Sequence, residues 1–295
     1  MLITDNDKDQ LLRFLFNEHG VRGEIISLDA SWLAAQANHE YPKRVAEQLG
    51  QALATSLLLS ATVKFNGTLT LQIQGDGLIN MLVAQATDRQ AVRGLAHWQE
   101  ETNETEDSSL FGNGRLVLTI KPDQGEPYQG IVSLEGDSIL EAVQTYFKQS
   151  EQLNTRLWFA INEQRAVGLL LQELPAQQDE QSEHDGWQHL EVLANTITDA
   201  ELLELPAQQI IHRLFHEETI RLFDPQTVKF QCDCSKEKVE ASLINLGHPE
   251  VLSILEEKGA VEVDCGYCNK HYSFDSIDIE QLFSDAPNAP TPVLH

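Results

Sequence analysis

Four cysteines constrain this chain more than any other feature. They are the only cysteines among its 295 residues. They fall into two close pairs, Cys232-Asp233-Cys234 and Cys265-Gly266-Tyr267-Cys268, separated by residues 235–264. Two kinds of chemistry use such pairs. Four thiolates can close the tetrahedral shell of one zinc ion, or each pair can close into a local disulfide. Thiolate donors select zinc over hard cations, and the runs that hold iron–sulfur clusters are spaced differently. A shell of four cysteines keeps no open position, so a metal held there is structural, not catalytic. His248 and His271 are alternative ligands nearby in sequence, but four sulfurs already complete the set.

The surrounding composition narrows the partners. The chain carries 20 Lys+Arg against 46 Asp+Glu, a net charge of -26. A zinc module often suggests nucleic acid, yet such binding rests on neutralising phosphates with Lys and Arg. A chain this acidic points away from nucleic acid and toward high solubility. No apolar run reaches membrane-spanning length, so no membrane partner is expected. The opening MLITDNDKDQLLRF lacks the basic and apolar regions of a secretory leader. The expected location is therefore the cytoplasm, where close cysteine pairs mean metal or redox chemistry more often than structural disulfides.

Residues 1–174 read as an α+β domain with a mostly antiparallel sheet. Residues 10–28 are strand-forming, and Asp29 or Ser31 caps a short helix carrying Trp32, Leu33 and Ala37. Pro42 opens a long Ala- and Leu-rich helix with Val45, Leu49, Leu53 and Leu57 on one stripe. The period then changes to two. Leu69, Leu71 and Ile73 alternate with polar residues, Gly75-Asp76-Gly77 turns, and Leu78 to Ala86 returns. Further strands are expected at 91–96, 115–121, 127–134, 156–161 and 166–171. The acidic run 100–107 is expected to be a solvated loop. Ser138 and Glu141 match a capping box for a helix to about Leu153. This domain carries no complete phosphate-binding fingerprint, no G-x-S-x-G and no HExxH. His19, His39 and His97 stand alone in sequence, and no enzymatic constellation is expected.

Residues 175–231 change character. They hold eleven Asp or Glu and three Lys or Arg, with apolar stripes expected on two or three helices. Trp187, Leu190, Leu193, Leu202, Leu203 and Leu205 form one stripe; Ile210, Ile211, Leu214, Phe215, Ile220, Leu222 and Phe223 form the next. Such a segment is either an ordinary helical linker packed on the first domain or a conditional element, soluble once released. Residues 232–284 form the cysteine module. Helices are expected at Lys236 to Leu246 and from His248 to Gly259, and strands at 261–263 and 271–274 flank the second pair. Residues 285–295 are expected to be a disordered tail.

Four clustered thiolates are also targets for oxidants. Residue chemistry alone leaves two readings open: a permanent zinc ribbon, for example in a protein acting on nucleic acid or in translation, or a redox switch. A third, thiol–disulfide exchange at Cys265-x-x-Cys268, usually needs a helix N-terminus in a thioredoxin-like fold.

The cysteine pattern at the end of a chain of this size, preceded by an acidic helical linker and by a first domain opening D-x-L-x-R-F-L-F at Asp9, resembles the redox-regulated heat-shock holdase chaperones of bacteria. The resemblance covers the whole chain. It implies that Cys232, Cys234, Cys265 and Cys268 hold one zinc ion in the reduced, inactive form. It implies that oxidation pairs Cys232 with Cys234 and Cys265 with Cys268, releases zinc, and unfolds the module. The active form would be a homodimer that binds unfolding client proteins without ATP. The stripes containing Leu190, Leu193, Leu214 and Phe215 are the expected client-binding surface.

Overall fold

The computed structural model describes residues 9–37, 39–63, 65–99, 109–134, 138–175 and 180–285. The expected loop at 100–107 and the expected tail beyond 285 lie outside them. The chain forms two compact units, one ending at Gln231 and the other beginning at Cys232.

The first unit is built on two sheets. Strands β1 (Gln10–Phe16) and β2 (Val21–Leu28) form a hairpin followed by a short helix α1 (Ala30–Gln36) and the long helix α2 (Lys43–Thr62). Then come β3 (Gly67–Gln74), β4 (Ile79–Thr87), β5 (Ala91–Trp98), β6 (Arg115–Pro122) and β7 (Tyr128–Ser133). Helix α3 (Ile139–Tyr146) leads to β8 (Thr155–Ile161) and β9 (Ala166–Glu173). Helices α4 (Glu180–Ala194), α5 (Asp199–Glu204) and α6 (Ala207–Phe215) follow. Three short strands close the unit: β10 (Ile220–Leu222), β11 (Gln226–Thr227) and β12 (Lys229–Phe230). The first sheet runs β10-β1-β2-β9-β8 with β11 also on β1; the second runs β12-β5-β4-β3-β6-β7. All pairings are antiparallel except β12 with β5. The mixed, mostly antiparallel α+β architecture is the one expected.

Helix α2 shows why the core sits where it does. Fourteen of its twenty residues are buried, so it has no single wet face. Such a helix is stable only when covered on most sides, and both sheets pack against it. Its polar residues are satisfied locally: Ser56, Ser60 and Thr62 donate to carbonyls three residues back. The approach to β5 requires Gly94, where a Cβ would stand 2.8 Å from Leu53 and 2.9 Å from the Val83 carbonyl.

The outer face of the first sheet is equally apolar. Phe14, Phe16, Val21, Ile25, Leu169 and Leu171 point outward and are buried under α4–α6. Segment 175–231 is thus closely built onto the first unit. Its two apolar stripes meet as one cluster on that sheet face.

Several local expectations are corrected. Ile220, Leu222 and Phe223 do not extend the helical stripe. Helix α6 ends at Phe215, and the chain returns as β10 on the open edge of β1, with Phe14 opposite Leu222. Phe223 instead lies under the guanidinium groups of Arg13 and Arg221. Asp29 does not cap α1 through its side chain. It pairs with Arg165 at 3.0 Å, and Asp9 accepts from the Asp29 and Ser31 amides instead. Ser138 does accept from the Glu141 amide. Helix α3, however, stops at Tyr146, seven residues short of Leu153, and continues as a π-turn (Phe147–Glu151). The Tyr146 hydroxyl bonds to Glu151 five residues on, matching that wider turn. His19, alone in sequence, is bonded to Glu218 at 2.7 Å, and Glu218 also receives His189 at 2.9 Å.

The second unit contains α7 (Lys236–Leu246), α8 (His248–Lys258), the hairpin β13 (Val261–Asp264) with β14 (His271–Phe274), and α9 (Ser276–Asp285). Gly259 ends α8 at φ 80°, as a left-handed cap. Helix α9 was not anticipated. Asp275 caps it by accepting from the Ile277 and Asp278 amides, while Asp278 accepts from the Asp275 amide. Among the described residues the buried core of this unit is only Leu243, Val251, Val261, Tyr272, Phe274 and Ile279. Among the described residues no helix is long and apolar enough to cross a membrane.

One buried charge makes a pH prediction. Glu24 faces Arg13 across β1–β2 and is 2% exposed. One of its carboxylate oxygens lacks a hydrogen-bond partner among the described residues. Burial raises its pKa from 4.5 to about 8, against the pull of Arg22 and Arg13. A carboxyl raised in the folded state is neutral there while the unfolded chain is ionised. Stability is therefore lost as pH rises from 4.5 toward 8 and the loss is complete above that. Glu24→Gln should leave the melting temperature of the first unit unchanged at pH 4 and raise it by several degrees at pH 8.5. Thermal melts by circular dichroism at both pH values check this.

Candidate metal centre

The second unit brings its four cysteines together from two places. Cys232 and Cys234 lie just before α7, whose first turn is capped by Ser235 accepting from the Lys238 amide. Cys265 and Cys268 lie in the turn between β13 and β14. There the Cys265 amide donates to the Lys270 carbonyl, and the Cys268 and Asn269 amides both donate to the Cys265 carbonyl. This double donation folds the chain into a knuckle that turns both sulfurs to one side. Asn269 takes the left-handed conformation, φ 54°, that the knuckle needs.

All four sulfurs lie within 4.8 Å of one another, the only such cluster of potential metal ligands among the described residues. Cys232 lies 3.6 Å from Cys265, and Cys234 lies 3.4 Å from Cys268. No two are joined as a disulfide. A zinc ion with sulfurs at about 2.3 Å has a tetrahedron edge of roughly 3.8 Å, so the spacing fits that ion. Neither histidine considered above belongs to that cluster. His271 Nδ1 bonds to Asp264 at 2.8 Å, and the His248 ring packs on Phe283.

Electrostatics supports the same occupant. Burial raises the Cys232 pKa; it also pushes Cys268 up to about 12, with the neighbouring thiols adding to the effect. Burial acts upward on Cys234 too, but Tyr272 and the other three thiols outweigh it and draw Cys234 to about 7. The Tyr272 hydroxyl has no well-aligned hydrogen bond among the described residues, so it acts on Cys234 as a nearby dipole. Without a cation, one sulfur takes the negative charge and its neighbours must keep their protons. Four thiolates at this spacing need a compensating cation, and a divalent metal supplies it. Three of the unit's four lysines, Lys236, Lys238 and Lys270, lie within four residues of a cysteine. Lys238 pairs with Asp233, and Lys236 with Asp278 at 3.2 Å. Cys-x-Cys and Cys-x-x-Cys were visible in the sequence; Tyr272 and Asn269 carried no signal that could have singled them out.

The other expected functional residues lie in the first unit. Leu190 and Leu193 are on α4, and Leu214 and Phe215 on α6. The fold brings all four together. Leu190, Leu214 and Phe215 are 0%, 4% and 1% exposed, and Leu193 packs on the same cluster half-buried. The Phe215 ring lies 5.0 Å from Phe16 and 6.2 Å from Phe14. Their cover is the first sheet itself.

Comparison with known proteins agrees with this arrangement. Residues 9–275 match the family described as Hsp33 protein. The "33 kDa chaperonin" of Nitrosococcus oceani is 52% identical over 97% of this chain and 98% of its own length. That of Aeromonas salmonicida is 42% identical over 98% of this chain and 100% of its own length. The crystal structure of the 33 kDa chaperonin of Thermotoga maritima shares the fold, with a TM-score of 0.80 at 24% identity over 94% of this chain and 98% of its own. With a family match over most of its length, near-full-length relatives above 40% identity and the four-cysteine cluster at its end, the chain belongs to the Hsp33 family of chaperones.

Proposed function

We propose that this protein is an ATP-independent holdase of the cytoplasm, held inactive by zinc on Cys232, Cys234, Cys265 and Cys268 and activated by oxidation. The observation that carries the reading is the four-sulfur cluster inside a unit with so small a core. Six buried apolar side chains contribute little against chain entropy. A structural zinc contributes on the order of 10–16 kcal/mol, as much as the whole stability of a typical domain, about 5–15 kcal/mol. Loss of the ion therefore unfolds the unit.

Oxidation removes the ligands in pairs. Each disulfide joins two sulfurs and passes two electrons to the oxidant, so two disulfides leave no thiolate to hold the ion. Sulfurs of different motifs also lie in contact, at 3.6 Å and 3.4 Å, so proximity in the reduced cluster does not by itself select neighbours. Selection comes afterwards, in the unfolded segment. Closing loops of one or two intervening residues costs far less entropy than closing loops of more than thirty, which favours Cys232–Cys234 and Cys265–Cys268. The Cys-x-Cys ring is tight, which makes it readily reduced and the switch reversible.

Activation exposes apolar surface. Because the α4–α6 stripes are covered by β1, β2 and β9, releasing them bares both partners. Leu190, Leu193, Leu214 and Phe215 appear on one side, and Phe14, Phe16 and Val21 on the other. Either face offers unfolding clients a patch large enough for association, and the same patch favours a homodimer of the oxidised form. The net charge of -26 keeps a loaded complex in solution and disfavours nucleic acid. The protein acts by binding, with no chemical turnover of the client.

Two outcomes are expected. Peroxide at elevated temperature should remove four free thiols and one zinc together, and only the oxidised protein should suppress light scattering by a thermally unfolding client. Non-reducing peptide mapping should give Cys232–Cys234 and Cys265–Cys268. Zinc that survives the oxidant, with neither form active, would return the unit to a permanent structural ribbon. Separately, Phe215→Ser removes a fully buried ring at a cost of about 3–5 kcal/mol and should undock α6. That variant should hold clients with reduced or no need for oxidation; unchanged redox dependence and unchanged client affinity would sink the linker model.

A further inference from the structure

Strand β7 differs from the edge strands β8, β10 and β12 of the first unit. Natural edges are blunted by charge, because their unpaired amides and carbonyls invite another strand. Arg221 lies on β10, Arg156 on β8 and Lys229 on β12. Strand β7 reads Tyr128-Gln-Gly-Ile-Val-Ser133, without a charge, and it ends its sheet with no neighbour beyond it among the described residues. Its hydrogen-bond phase can be read directly. The Leu134 amide donates to the Gly114 carbonyl, in line with the β6–β7 register. Antiparallel alternation then points Val132, Gly130 and Tyr128 toward β6 and turns the amides and carbonyls of Gln129, Ile131 and Ser133 outward. The Ile131 side chain is 63% exposed.

A cleft opens beside the start of this strand. It has a volume of about 520 Å³ and is lined by Tyr128, by Leu59, Leu118 and Phe147, and by the charged residues Arg22, Glu126 and Glu151. Arg22 is held in place by Gln172 Oε1 and by the Thr62 carbonyl at 2.8 Å. The π-turn supplies Phe147 and Glu151 to the wall. Such turns are rare and are found often at functional sites. It ends at Gln152 in the left-handed conformation, φ 57°. A cleft of this size with Leu59, Leu118 and Phe147 in its lining has room for a large apolar side chain.

We infer that β7 and this cleft form a second client site, at which an extended apolar segment of an unfolding protein adds as a strand and seats an aromatic or large aliphatic residue beside Tyr128. The inference rests on the holdase reading and names a surface that the α4–α6 stripes do not include. Strand addition explains how many sequences can be accepted: backbone bonds hold the segment and alternate side chains select it. The occupant is a client and not a second copy. Glu126 and Glu151 line the cleft, and a second β7 would bring its own pair of carboxylates to the same patch. A segment flanked by Lys or Arg is complementary.

The test uses full-length oxidised protein and the peptide Lys-Val-Phe-Val-Phe-Val-Lys. Amide hydrogen exchange at Gln129, Ile131 and Ser133 should slow at least tenfold on adding peptide, while the amides of Gly130 and Val132, already paired, change little. Ile131→Pro removes one outward amide and no β6–β7 bond, and should weaken peptide binding at least tenfold. Ile131→Lys keeps the amide, adds a charge to the edge, and should weaken binding too; it serves if the proline variant fails to fold by circular dichroism. Unchanged exchange with peptide, or equal affinity in a folded variant, overturns the inference. So does protection of the same amides that rises with protein concentration alone, which assigns the edge to a second copy. If oxidised wild type suppresses client aggregation and folded Ile131→Lys does so equally with equal peptide affinity, the edge site falls and the holdase reading stands. If oxidised wild type fails to hold clients while the peptide still protects Gln129, Ile131 and Ser133, the reverse holds.

Discussion

A sheet with apolar side chains on both faces must be covered twice. The first sheet is in that position. Its inner face is closed by α2, and its outer face, with Phe14, Phe16, Ile25 and Leu169, is closed by α4–α6. The two covers differ in kind. Helix α2 is buried nearly all round and cannot leave without dissolving the core. Helices α4–α6 carry apolar residues on one side and a strongly acidic background on the other. They gain by docking, yet would remain soluble if released. A fold that needs this second cover contains a protected apolar surface by construction, and the stability of the cover sets how readily that surface is shown.

The second unit solves a different problem. Four sulfurs close together cannot all ionise without help: burial raises Cys232 and Cys268, the neighbouring thiols add to the rise at Cys268, and Tyr272 with the other thiols lowers Cys234. The same crowding that suits the site to a divalent cation would, on the proposed reading, make its thiols close partners for oxidation. Few buried apolar residues stand behind them. On the proposed reading metal binding and folding are a single event in this unit, in contrast to the large core of the first.

Much of this was legible in the sequence, because the relevant signals are local. The hairpin of β3 and β4 follows from strict alternation around Gly75-Asp76-Gly77, and α8 ends at Gly259 as its cap requires. The metal centre was legible because both halves of the ligand set are short motifs. What was not legible depends on partners far away in sequence. Strands β10, β11 and β12 have two or three residues each, too few to show a period, and they exist because β1 and β5 offer open edges. Glu218 meets His19 across 199 positions. The π-turn after α3, with its contact from Tyr146 to Glu151, breaks the helical period without a sequence marker. The stripe of Leu190 and Phe215 was visible, but that its cover is the first sheet was not.

The pairing of β1 with β10 and β11 has a consequence for how the chain is made. Phe16 lies opposite Ile220, more than 200 positions away, and Leu11 lies opposite Gln226. Strand β1 therefore cannot finish its sheet until about 200 further residues have been synthesised. At about 5–20 residues per second, that interval lasts roughly 10–45 s. During it β1 has at most the hairpin with β2 and keeps one edge open. Long-range closure of this kind is slow and leaves nascent chains open to aggregation. On this topology a newborn copy passes through the same vulnerable state as the clients proposed for it.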